Sequence, residues 1–429
     1  MSEKKIPTKT FIIEIDLKSG EKTSRSAEAR LSEAVSLTKA ISLDVVGSEI
    51  VPLRKVQPAT YMGTGVVDRV KILLHQLDAE LVLMNCALSP IQQRNLEKTW
   101  QVKVIDRTAL ILEIFGERAQ TREGVLQVEL AHLTYQRSRL VRSWTHLERQ
   151  RGGAGFLGGP GETQIEIDRR IIDDKLVRIK KELEHVKQTR GLQRKSRKKV
   201  PFPIVSLVGY TNAGKSTLFN QLTKANVFAE NLLFATLDPT MRQIELPSGK
   251  KVILSDTVGF ISDLPTELIA AFRATLEEVL EADLVLHVRD CSHPDTEAQK
   301  QDVENVLKDL GLADKVAKGI PEVLNKIDLL DEQERTALTR ISSYKELVWP
   351  VCATTGEGIS DLLNFIDKAL SEKQKRYTVH LPFHDGKTLA WLYEKGAVIS
   401  FKENDEDIEL FVSLSDKDYA ILKDSFLTE

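Results

Sequence analysis

The chain has 429 residues, which is too long for one ordinary hydrophobic core, so we expect several domains of ~100–200 residues each. Hydrophobic residues make up 41% and charged residues 29% of the sequence, as in soluble globular proteins. Its three cysteines are far apart, which argues against a disulfide framework or a cysteine-rich metal site. No apolar run approaches the ~18 residues of a membrane span, and the first residues lack a signal peptide's apolar core. We expect a cytoplasmic protein, with peripheral membrane association left open.

The charge is small in total but unevenly distributed. The net charge is −3, yet residues 122–200 carry 19 Lys and Arg against 10 Asp and Glu, a net +9. Residues 377–429 carry 5 against 11, a net −6. A basic block beside an acidic tail favours a polyanionic partner for the block. A solvated helix surface explains the same pattern equally well, so both interpretations stay open on charge alone.

The first part of the chain, residues 1–120, alternates strand-like and helix-like runs. "TFIIEIDL", "LVLMN" and "VKVIDR" are typical of strands, whereas "ARLSEAVSLTKA" and "IQQRNLEKTW" have the spacing of helices. This alternation predicts a small α/β domain with a largely parallel sheet.

Residues 121–190 show a different pattern, in which apolar residues recur at helical intervals on both sides of a glycine-rich stretch. That stretch, "RGGAGFLGGPGETQ", holds six of the chain's 23 glycines. Two amphipathic helices joined by a loop predict an antiparallel hairpin with Gly152–Gly161 at its tip. The apolar positions are Leu126, Leu130, Leu133, Leu140, Val141, Trp144 and Leu147, then Ile171, Ile172, Leu176, Ile179, Leu183 and Val186.

The remaining sequence predicts a linker and two further domains. Residues 191–203 are basic and end with two prolines, which is typical of a linker. Residues 204–370 return to an α/β pattern, and residues 377–429 have the strand and helix signals of a small α+β module. The predicted fold class is therefore a multidomain α/β protein.

A phosphate-binding loop follows the strand "PIVSLV" and precedes the helix "STLFNQLTK". Gly209, Gly214, Lys215 and Ser216 match G-x-x-x-x-G-K-[ST] in that context. The N–H groups of such a loop hold the α- and β-phosphates of a nucleotide. We expect the Lys215 ammonium to reach the β- and γ-phosphates and the Ser216 hydroxyl to ligate Mg²⁺.

Further nucleotide-site elements occur in the expected order. "VILSDTVGF" ends a strand with Asp256, which is placed to hold Mg²⁺ through water, and Gly259 can offer its N–H to a γ-phosphate. "PEVLNKIDLL" ends another strand with Asn325 and Asp328. A carboxylate there accepts hydrogen bonds from guanine N1 and N2, which adenine does not supply. The ordered set predicts a GTP site.

The motifs "GYTNAGKST", "FATLDPT", "DTVGF" and "NKID" resemble those of the HflX family, on the Obg–HflX branch of translation-factor-class P-loop GTPases. The resemblance implies that Thr236 is a switch threonine that ligates Mg²⁺ together with Ser216 and Asp256. It also implies that "CAT" at Cys352 contacts guanine through the backbone, where relatives usually have Ser-Ala. Lys215, Thr236 and Gly259 are the implied catalytic residues. The implied nucleotide-binding residues are Gly209, Tyr210, Thr211, Asn212, Ala213, Gly214, Lys215, Ser216, Thr217, Phe234, Ala235, Thr236, Leu237, Asp238, Asp256, Thr257, Val258, Gly259, Asn325, Lys326, Ile327, Asp328, Cys352, Ala353 and Thr354.

Two residues bear on the rate of hydrolysis. Phe260 stands where Ras-like GTPases carry a water-orienting glutamine, and an apolar ring cannot polarise water. We therefore expect slow intrinsic hydrolysis that a partner or a monovalent cation stimulates. Asn212 matches an asparagine that ligates K⁺ in some related GTPases, which predicts stimulation by K⁺. An asparagine that caps the loop is an equally good interpretation.

The glycine-rich tip lacks the context of a phosphate loop, because no strand precedes it and no Lys-Ser/Thr follows it. Three interpretations remain, which are a flexible tip, a backbone that approaches RNA phosphates, and a second nucleotide site. "LVRSWTHLERQRGG" and "GPGETQIEIDRR" resemble the HflX N-terminal domain, whose hairpin inserts its loop into the large ribosomal subunit. Leu157 and Gly158 replace the tip arginine of many members. The arginines that flank the tip are Arg137, Arg139, Arg142, Arg149, Arg151, Arg169 and Arg170.

A second glycine motif, "YMGTGVVDRV", resembles a stretch through which some family members are credited with ATP binding. Val66 stands in place of the lysine that many members carry after the second glycine. A GxG without that lysine favours an ordinary turn before a helix.

The expected function follows from these motifs. We expect a monomeric GTPase that binds GTP and GDP with Mg²⁺, and K⁺ as a second candidate ion. The resemblance implies association with the large ribosomal subunit through the 121–190 arm and dissociation of stalled ribosomes under stress. The alternatives are a signalling GTPase with protein effectors and an RNA remodeller driven by both ATP and GTP.

Overall fold

The strands of the described residues form three separate β-sheets. None of the helices among the described residues is long and apolar enough to cross a membrane. The structure is a computed structural model that describes residues 7–18, 25–150, 164–197, 202–224, 234, 240–262, 279–344, 347–371, 374–394, 397–403, 407–415, 419 and 422.

Residues 7–118, called the N-terminal unit below, alternate strands and helices as the sequence predicts. Three of the four helices begin at a residue whose side chain accepts a hydrogen bond from the first turn. The elements are β1 (Lys9–Leu17), α1 (Ala27–Ala40), β2 (Asp44–Leu53), α2 (Thr64–Gln76), β3 (Leu81–Met84), α3 (Pro90–Trp100), β4 (Lys103–Asp106) and α4 (Arg107–Arg118).

The strands of the N-terminal unit form one parallel sheet in the order β2-β1-β3-β4. A parallel sheet that is covered on both faces needs strands that are apolar throughout. β3 meets that requirement, since all four of its residues are buried. The prediction of an N-terminal α/β domain with a largely parallel sheet is thus confirmed.

Two long helices follow, α5 (Arg122–Gln150) and α6 (Gln164–Arg197). Leu126 and Leu133 of α5 are buried against Leu176, Ile179 and Leu183 of α6. This contact confirms the predicted helical hairpin, whose tip falls outside the described residues. α6 also continues through residues 191–197, which we expected in a linker, because the Arg, Lys and Gln residues there are good helix formers.

The carboxylate of Asp106 is one of the groups that fix the base of the hairpin to the N-terminal unit. Asp106 caps α4 by accepting from the N–H of Ala109 at 2.9 Å. The same side chain accepts from the Tyr135 hydroxyl at 2.7 Å and from Arg139 Nη2 at 2.5 Å. Arg139, which the sequence places among the arginines that flank the RNA-reaching tip, is therefore a structural residue of the hairpin base. Its side chain is only 18% exposed, so that part of the expectation is corrected.

Residues 202–371, called the G unit below, contain the second sheet. The elements are β5 (Ile204–Val208), α7 (Lys215–Thr223), β6 (Thr240–Glu245), β7 (Lys251–Asp256), β8 (Leu284–Asp290), α8 (Thr296–Leu307), α9 (Ala313–Lys318), β9 (Glu322–Asn325), α10 (Glu332–Tyr344), β10 (Val348–Pro350) and α11 (Ile359–Ser371).

The second sheet has the strand order β10-β9-β8-β5-β7-β6, and only the edge strand β6 is antiparallel to its neighbour. β5 lies in the interior of the sheet, and four of its five residues are buried. In such sheets ligands bind at the carboxyl ends of the strands. The loops that follow β5, β7, β9 and β10 therefore define where a nucleotide site must lie.

The described part of the C-terminal unit, within residues 374–422, contains a helix and an antiparallel sheet in which Asp407–Ser415 lies between Gln374–Pro382 and Val398–Glu403. Leu381, Leu392, Leu410 and Val412 are buried in its core. This agrees with the small α+β module that the sequence predicts, while the exact domain limits stay a prediction. The elements are β11 (Gln374–Pro382), α12 (Gly386–Glu394), β12 (Val398–Glu403) and β13 (Asp407–Ser415).

Candidate functional site

The loop between β5 and α7 has the backbone of a phosphate-binding loop. A Cβ at Gly209 would lie 2.1 Å from the Val288 carbonyl oxygen, and a Cβ at Gly214 would lie 2.1 Å from Asn325 Nδ2. Gly214 also has a φ of +88°, which favours glycine. α7 begins directly after it, so the first N–H groups of the helix, which have no acceptor within the helix, face the loop.

Lys215 is buried beneath this loop, with 6% of its surface exposed. Its ammonium donates to the carbonyl oxygens of Gly209 at 3.1 Å and Tyr210 at 2.9 Å. Burial lowers the pKa of Lys215 to about 8, although the nearby carboxylate of Asp256 acts in the opposite direction. A phosphate beside the ammonium would add negative charge and favour the charged form again. The position therefore suits an anionic ligand.

Ser216 and Asp256 offer the oxygen atoms that a hard cation needs. Asp256 ends β7, and its Oδ2 accepts from the Ser216 hydroxyl at 2.7 Å. Among the described residues, no group of three or more His, Cys, Asp or Glu side chains is arranged to hold a metal. The donors present thus fit Mg²⁺, which at phosphate sites keeps water and nucleotide oxygens as its other ligands.

The segment after β7 lies against the P-loop. The Phe260 N–H donates to the Gly209 carbonyl at 3.1 Å, and the Thr211 N–H donates to the Phe260 carbonyl at 2.8 Å. A Cβ at Gly259 would lie 3.1 Å from Lys215 Nζ. Gly259 is consequently next to the lysine of the phosphate loop, where the sequence expects it. The Phe260 ring is buried in an apolar cluster, so it is not available to orient water.

The loops after β9 and β10 meet at the P-loop. Asn325 Nδ2 donates to the Ala213 carbonyl at 2.9 Å, and its Oδ1 accepts from the Ala353 N–H at 3.0 Å. Cys352 Sγ donates to Asp328 Oδ1 at 3.0 Å. These contacts bring "NKID" and "CAT" together beside the phosphate loop, and Cys352 holds the carboxylate that we expect to recognise guanine.

Four family models match consecutive parts of the chain. They are described as GTP-binding GTPase N-terminal (residues 28–116), GTP-binding GTPase Middle Region (118–197), 50S ribosome-binding GTPase (204–326) and HflX C-terminal domain (337–425).

Relatives named GTPase HflX are similar over most of the chain. The Magnetococcus marinus protein is 50% identical over 92% of this chain and 90% of its own length. The Escherichia coli protein is 43% identical over 86% of this chain and 85% of its own length. A GTP-binding protein structure from Sulfolobus solfataricus in complex with GDP covers 85% of this chain and 99% of its own, with 23% identity and a TM-score of 0.44. The chain belongs to the HflX family of GTPases. It binds GTP and hydrolyses it.

Some residues of the expected HflX site fall outside the described residues. Ala235, Thr236, Leu237 and Asp238 are among them. Phe234 of the same motif is described, and its ring meets Phe115 of α4 edge-on, with centroids 4.7 Å apart. The predicted roles in that loop therefore stay predictions. The expected residues that the structure brings together at one edge of the second sheet are Gly209, Tyr210, Thr211, Asn212, Ala213, Gly214, Lys215, Ser216, Thr217, Asp256, Thr257, Val258, Gly259, Asn325, Lys326, Ile327, Asp328, Cys352, Ala353 and Thr354.

The sequence did not reveal the residues that support this site. Lys326 Nζ pairs with Asp290 Oδ2 at 2.7 Å, and Cys291 Sγ donates to the Asn325 carbonyl at 3.0 Å. Both partners come from the end of β8, which is next to β9 in the sheet. Their position at the carboxyl end of a strand-like run is the signal that could have found them.

The second glycine motif forms the turn before α2. Gly63 precedes the helix, and Val67, Val70 and Leu74 are buried along it. They agree with the turn before a helix that we expect of a GxG motif without a following lysine.

Replacing Gly259 with alanine tests whether the segment after β7 must lie against the P-loop. The added Cβ would lie 2.8 Å from Thr211 Cγ2 and 2.9 Å from Thr211 Cα, so the segment must move away. We expect kcat for GTP to fall by about tenfold or more, with a much smaller change in GDP affinity. Gly386→Ala is the matched control, because a Cβ there meets nothing within 4 Å. A Gly259→Ala variant with the original kcat would contradict this interpretation.

Replacing Cys352 tests its hydrogen bond to Asp328. Cys352→Ala removes the donor, so we expect GTP and GDP to bind about three- to tenfold more weakly while kcat at saturating GTP is retained. Cys352→Ser keeps a donor and should recover most of the affinity. Titration with a fluorescent guanine nucleotide measures both. Equal affinities for the Ala and Ser variants would show that the thiol does not act through this bond.

Proposed function

We propose that this HflX-family GTPase binds the large ribosomal subunit and dissociates stalled ribosomes under stress, using the α5–α6 hairpin as its RNA-binding arm. One observation carries the proposal. Asp106 of the N-terminal unit is bonded to Tyr135 and Arg139 at the base of the hairpin, and α5 alone has 29 residues, a length of roughly 43 Å at 1.5 Å per residue. A family model described as a 50S ribosome-binding GTPase, which matches residues 204–326, supports the same partner.

The charge of the hairpin suits RNA phosphates. Lys175, Arg178 and Lys181 of α6 are exposed. Acidic side chains pair with some of the hairpin's bases, since Arg137 pairs with Asp173 at 2.8 Å and the exposed Arg178 pairs with Glu182 at 3.1 Å. The exposed bases of α6 and the glycine-rich tip, Gly152–Gly161, are therefore the proposed rRNA contacts, the tip acting through its backbone.

Nucleotide and ions have assigned places in this proposal. Ser216, Thr236 and Asp256 would hold Mg²⁺, which would neutralise charge on the phosphates. Lys215 and Gly259 contact the γ-phosphate, while Asn325 and Asp328 select guanine. Ordering of the loops around Thr236 and Gly259 by GTP, and their release after hydrolysis, gives the protein two states. The state with GTP is the one that binds the ribosomal subunit.

Co-sedimentation with large ribosomal subunits tests the proposal. We expect binding with a non-hydrolysable GTP analogue, weaker binding with GDP, and a steep loss of binding as salt is raised. Replacing Lys175, Arg178 and Lys181 together with glutamine should reduce the affinity for the subunit by about tenfold or more. The slope of log affinity against log salt concentration should become less steep by roughly 2. GTP hydrolysis without ribosomes should be unchanged.

A matched control removes the same number of charges elsewhere. Lys71, Lys318 and Lys402 are exposed, and they lie in the N-terminal, G and C-terminal units. Their replacement with glutamine should leave ribosome binding nearly unchanged. Binding that does not depend on the nucleotide, or an equal effect of both triple variants, would contradict the proposal. Conversion of intact ribosomes to subunits on a sucrose gradient tests the dissociation step separately.

The proposed K⁺ site rests on Asn212. Its φ of +61° is a second reason for an asparagine at this position, since asparagine tolerates the left-handed region. Asn212→Gly separates the two explanations, because glycine accepts this backbone but removes the carboxamide. We expect faster GTP hydrolysis in KCl than in NaCl for the original protein and no difference for Asn212→Gly. Equal rates in both salts for the original protein would rule out the K⁺ site.

A further inference from the structure

The P-loop contains a buried hydroxyl group that takes part in no hydrogen bond with the described residues. It belongs to Thr211, the residue after Tyr210, which has 6% of its surface exposed. Its Oγ1 atom is shielded from solvent and has no partner in the described part of the chain. A buried polar group without a partner destabilises the folded protein, so such groups are uncommon in native structures. Contact with a ligand is one of the reasons for which a protein keeps such a group.

The backbone of Thr211 is already engaged. Its N–H donates to the Phe260 carbonyl at 2.8 Å, so this amide is not available to a phosphate oxygen. The P-loop pattern allows any residue type at this position, so the pattern by itself does not require a threonine. What Thr211 can offer to a nucleotide is therefore its hydroxyl group.

The side chain of Thr211 lies between two groups that we expect at the γ-phosphate. A Cβ at Gly259 would lie 2.8 Å from Thr211 Cγ2 and 3.1 Å from Lys215 Nζ. The Lys215 ammonium also donates to the Tyr210 carbonyl, directly before Thr211, at 2.9 Å. The threonine is thus placed for the reaction at the γ-phosphate, and guanine is expected at the other end of the site.

The segment after β7 offers no free polar side chain of its own between residues 257 and 261. Val258, Phe260 and Ile261 are apolar and buried. Thr257 is buried too, and its hydroxyl already donates to the Leu207 carbonyl at 2.7 Å. GTPases hydrolyse GTP with the help of a residue that orients the attacking water. In this part of the site, the group left for that role lies on the opposite side, in the P-loop.

We propose that Thr211 is a catalytic residue of GTP hydrolysis, whose hydroxyl orients the attacking water against the γ-phosphate. A hydroxyl can accept a hydrogen bond from the water and donate one to a γ-phosphate oxygen at the same time. The negative charge of the γ-phosphate draws the Lys215 ammonium away from the Tyr210 carbonyl, which opens access to the hydroxyl. The contact exists with GTP and not with GDP, because it needs the γ-phosphate.

The reaction itself is an ordinary hydrolysis. The water oxygen forms a bond to the γ-phosphorus while the bond from that phosphorus to the β–γ bridging oxygen breaks. GDP leaves with the electron pair of the broken bond, and the proton of the water passes to the released phosphate. Thr211 keeps its own proton and forms no covalent bond, so its contribution is the orientation of the water.

Two substitutions in the full chain separate the hydroxyl of Thr211 from its methyl group. Thr211→Val keeps the shape and removes the hydroxyl, whereas Thr211→Ser keeps the hydroxyl and removes the methyl that faces Gly259. Single-turnover hydrolysis without ribosomes, at one KCl concentration, gives the rates. We expect Thr211→Val to be about tenfold slower or more and Thr211→Ser to stay within about threefold. GDP affinity should change less than about twofold in both.

Two further measurements address the hydroxyl more directly. Thr211→Val should lose affinity for GDP with aluminium fluoride, which imitates the transferring phosphoryl group, by about the same factor as it loses rate. The melting temperature of this variant without nucleotide should be equal to or above that of the original protein, because a buried hydroxyl without a partner has been removed. Thr211→Ala also lacks the hydroxyl and replaces Thr211→Val in the test if the latter does not fold.

Thr378→Val is the matched control, since Thr378 lies exposed on β11 of the C-terminal unit. Its rate should equal that of the original protein. An original rate in folded Thr211→Val overturns the proposal. So does a slow Thr211→Ser beside a fast Thr211→Val, which would assign the role to the methyl group, or an equal loss of rate and GDP affinity. No ribosome takes part in these measurements, so their outcome is independent of ribosome binding.

Discussion

One side-chain amide holds the nucleotide site together. Asn325 donates to the carbonyl of Ala213 and accepts from the N–H of Ala353, so a single residue joins three loops. The loops belong to the carboxyl ends of three parallel strands, which bring distant segments of chain to one edge. The close approach of Asn325 also leaves no room for a side chain at Gly214. The phosphate-binding loop and the loop that we expect to recognise guanine therefore depend on one shared geometry.

The contact between the N-terminal and G units combines two kinds of interaction. The apolar part, where Phe115 meets Phe234, supplies free energy but tolerates sliding, because hydrophobic contact is not directional. A buried polar cluster of Arg25, Glu33, Arg107, Tyr210 and Ser262 forms the other part, and it contributes less net free energy, since desolvation offsets much of the attraction between buried charges. Its hydrogen bonds are directional, however, and they are satisfied only in one arrangement. The polar cluster thus specifies the orientation that the apolar contact stabilises.

The sequence predicts the features that depend on residues at a fixed spacing along the chain. The P-loop, the strands that lead into Asp256 and Asn325, and the apolar stripe of the hairpin are local patterns, and the structure agrees with them. The bond between Glu33 and Tyr210 joins residues 177 positions apart, so it depends on docking and leaves no local pattern. Its charge alone places Arg139 among the expected RNA contacts. The structure instead pairs it with Asp106, because the start of α5 lies against the N-terminal unit. The charge of the sequence therefore identifies the basic helical arm. It does not show which Lys and Arg side chains of that arm are available to a partner.

The structure also supplies a continuous physical route from the nucleotide site to the hairpin. Ser262 is bonded to Arg107, the first residue of α4, and the preceding Asp106 is bonded to Tyr135 and Arg139 of α5. Coupling along such a route requires an element that has two arrangements. The nucleotide site and the hairpin must each change the balance between those two arrangements. The segment after Gly259 is such an element if GTP shifts it. From Tyr135 to the end of α5 is ~22 Å, so a rotation of about 10° at the base moves that end by roughly 4 Å. Under the proposed role in RNA binding, a rotation of that size would change the contacts that the hairpin makes.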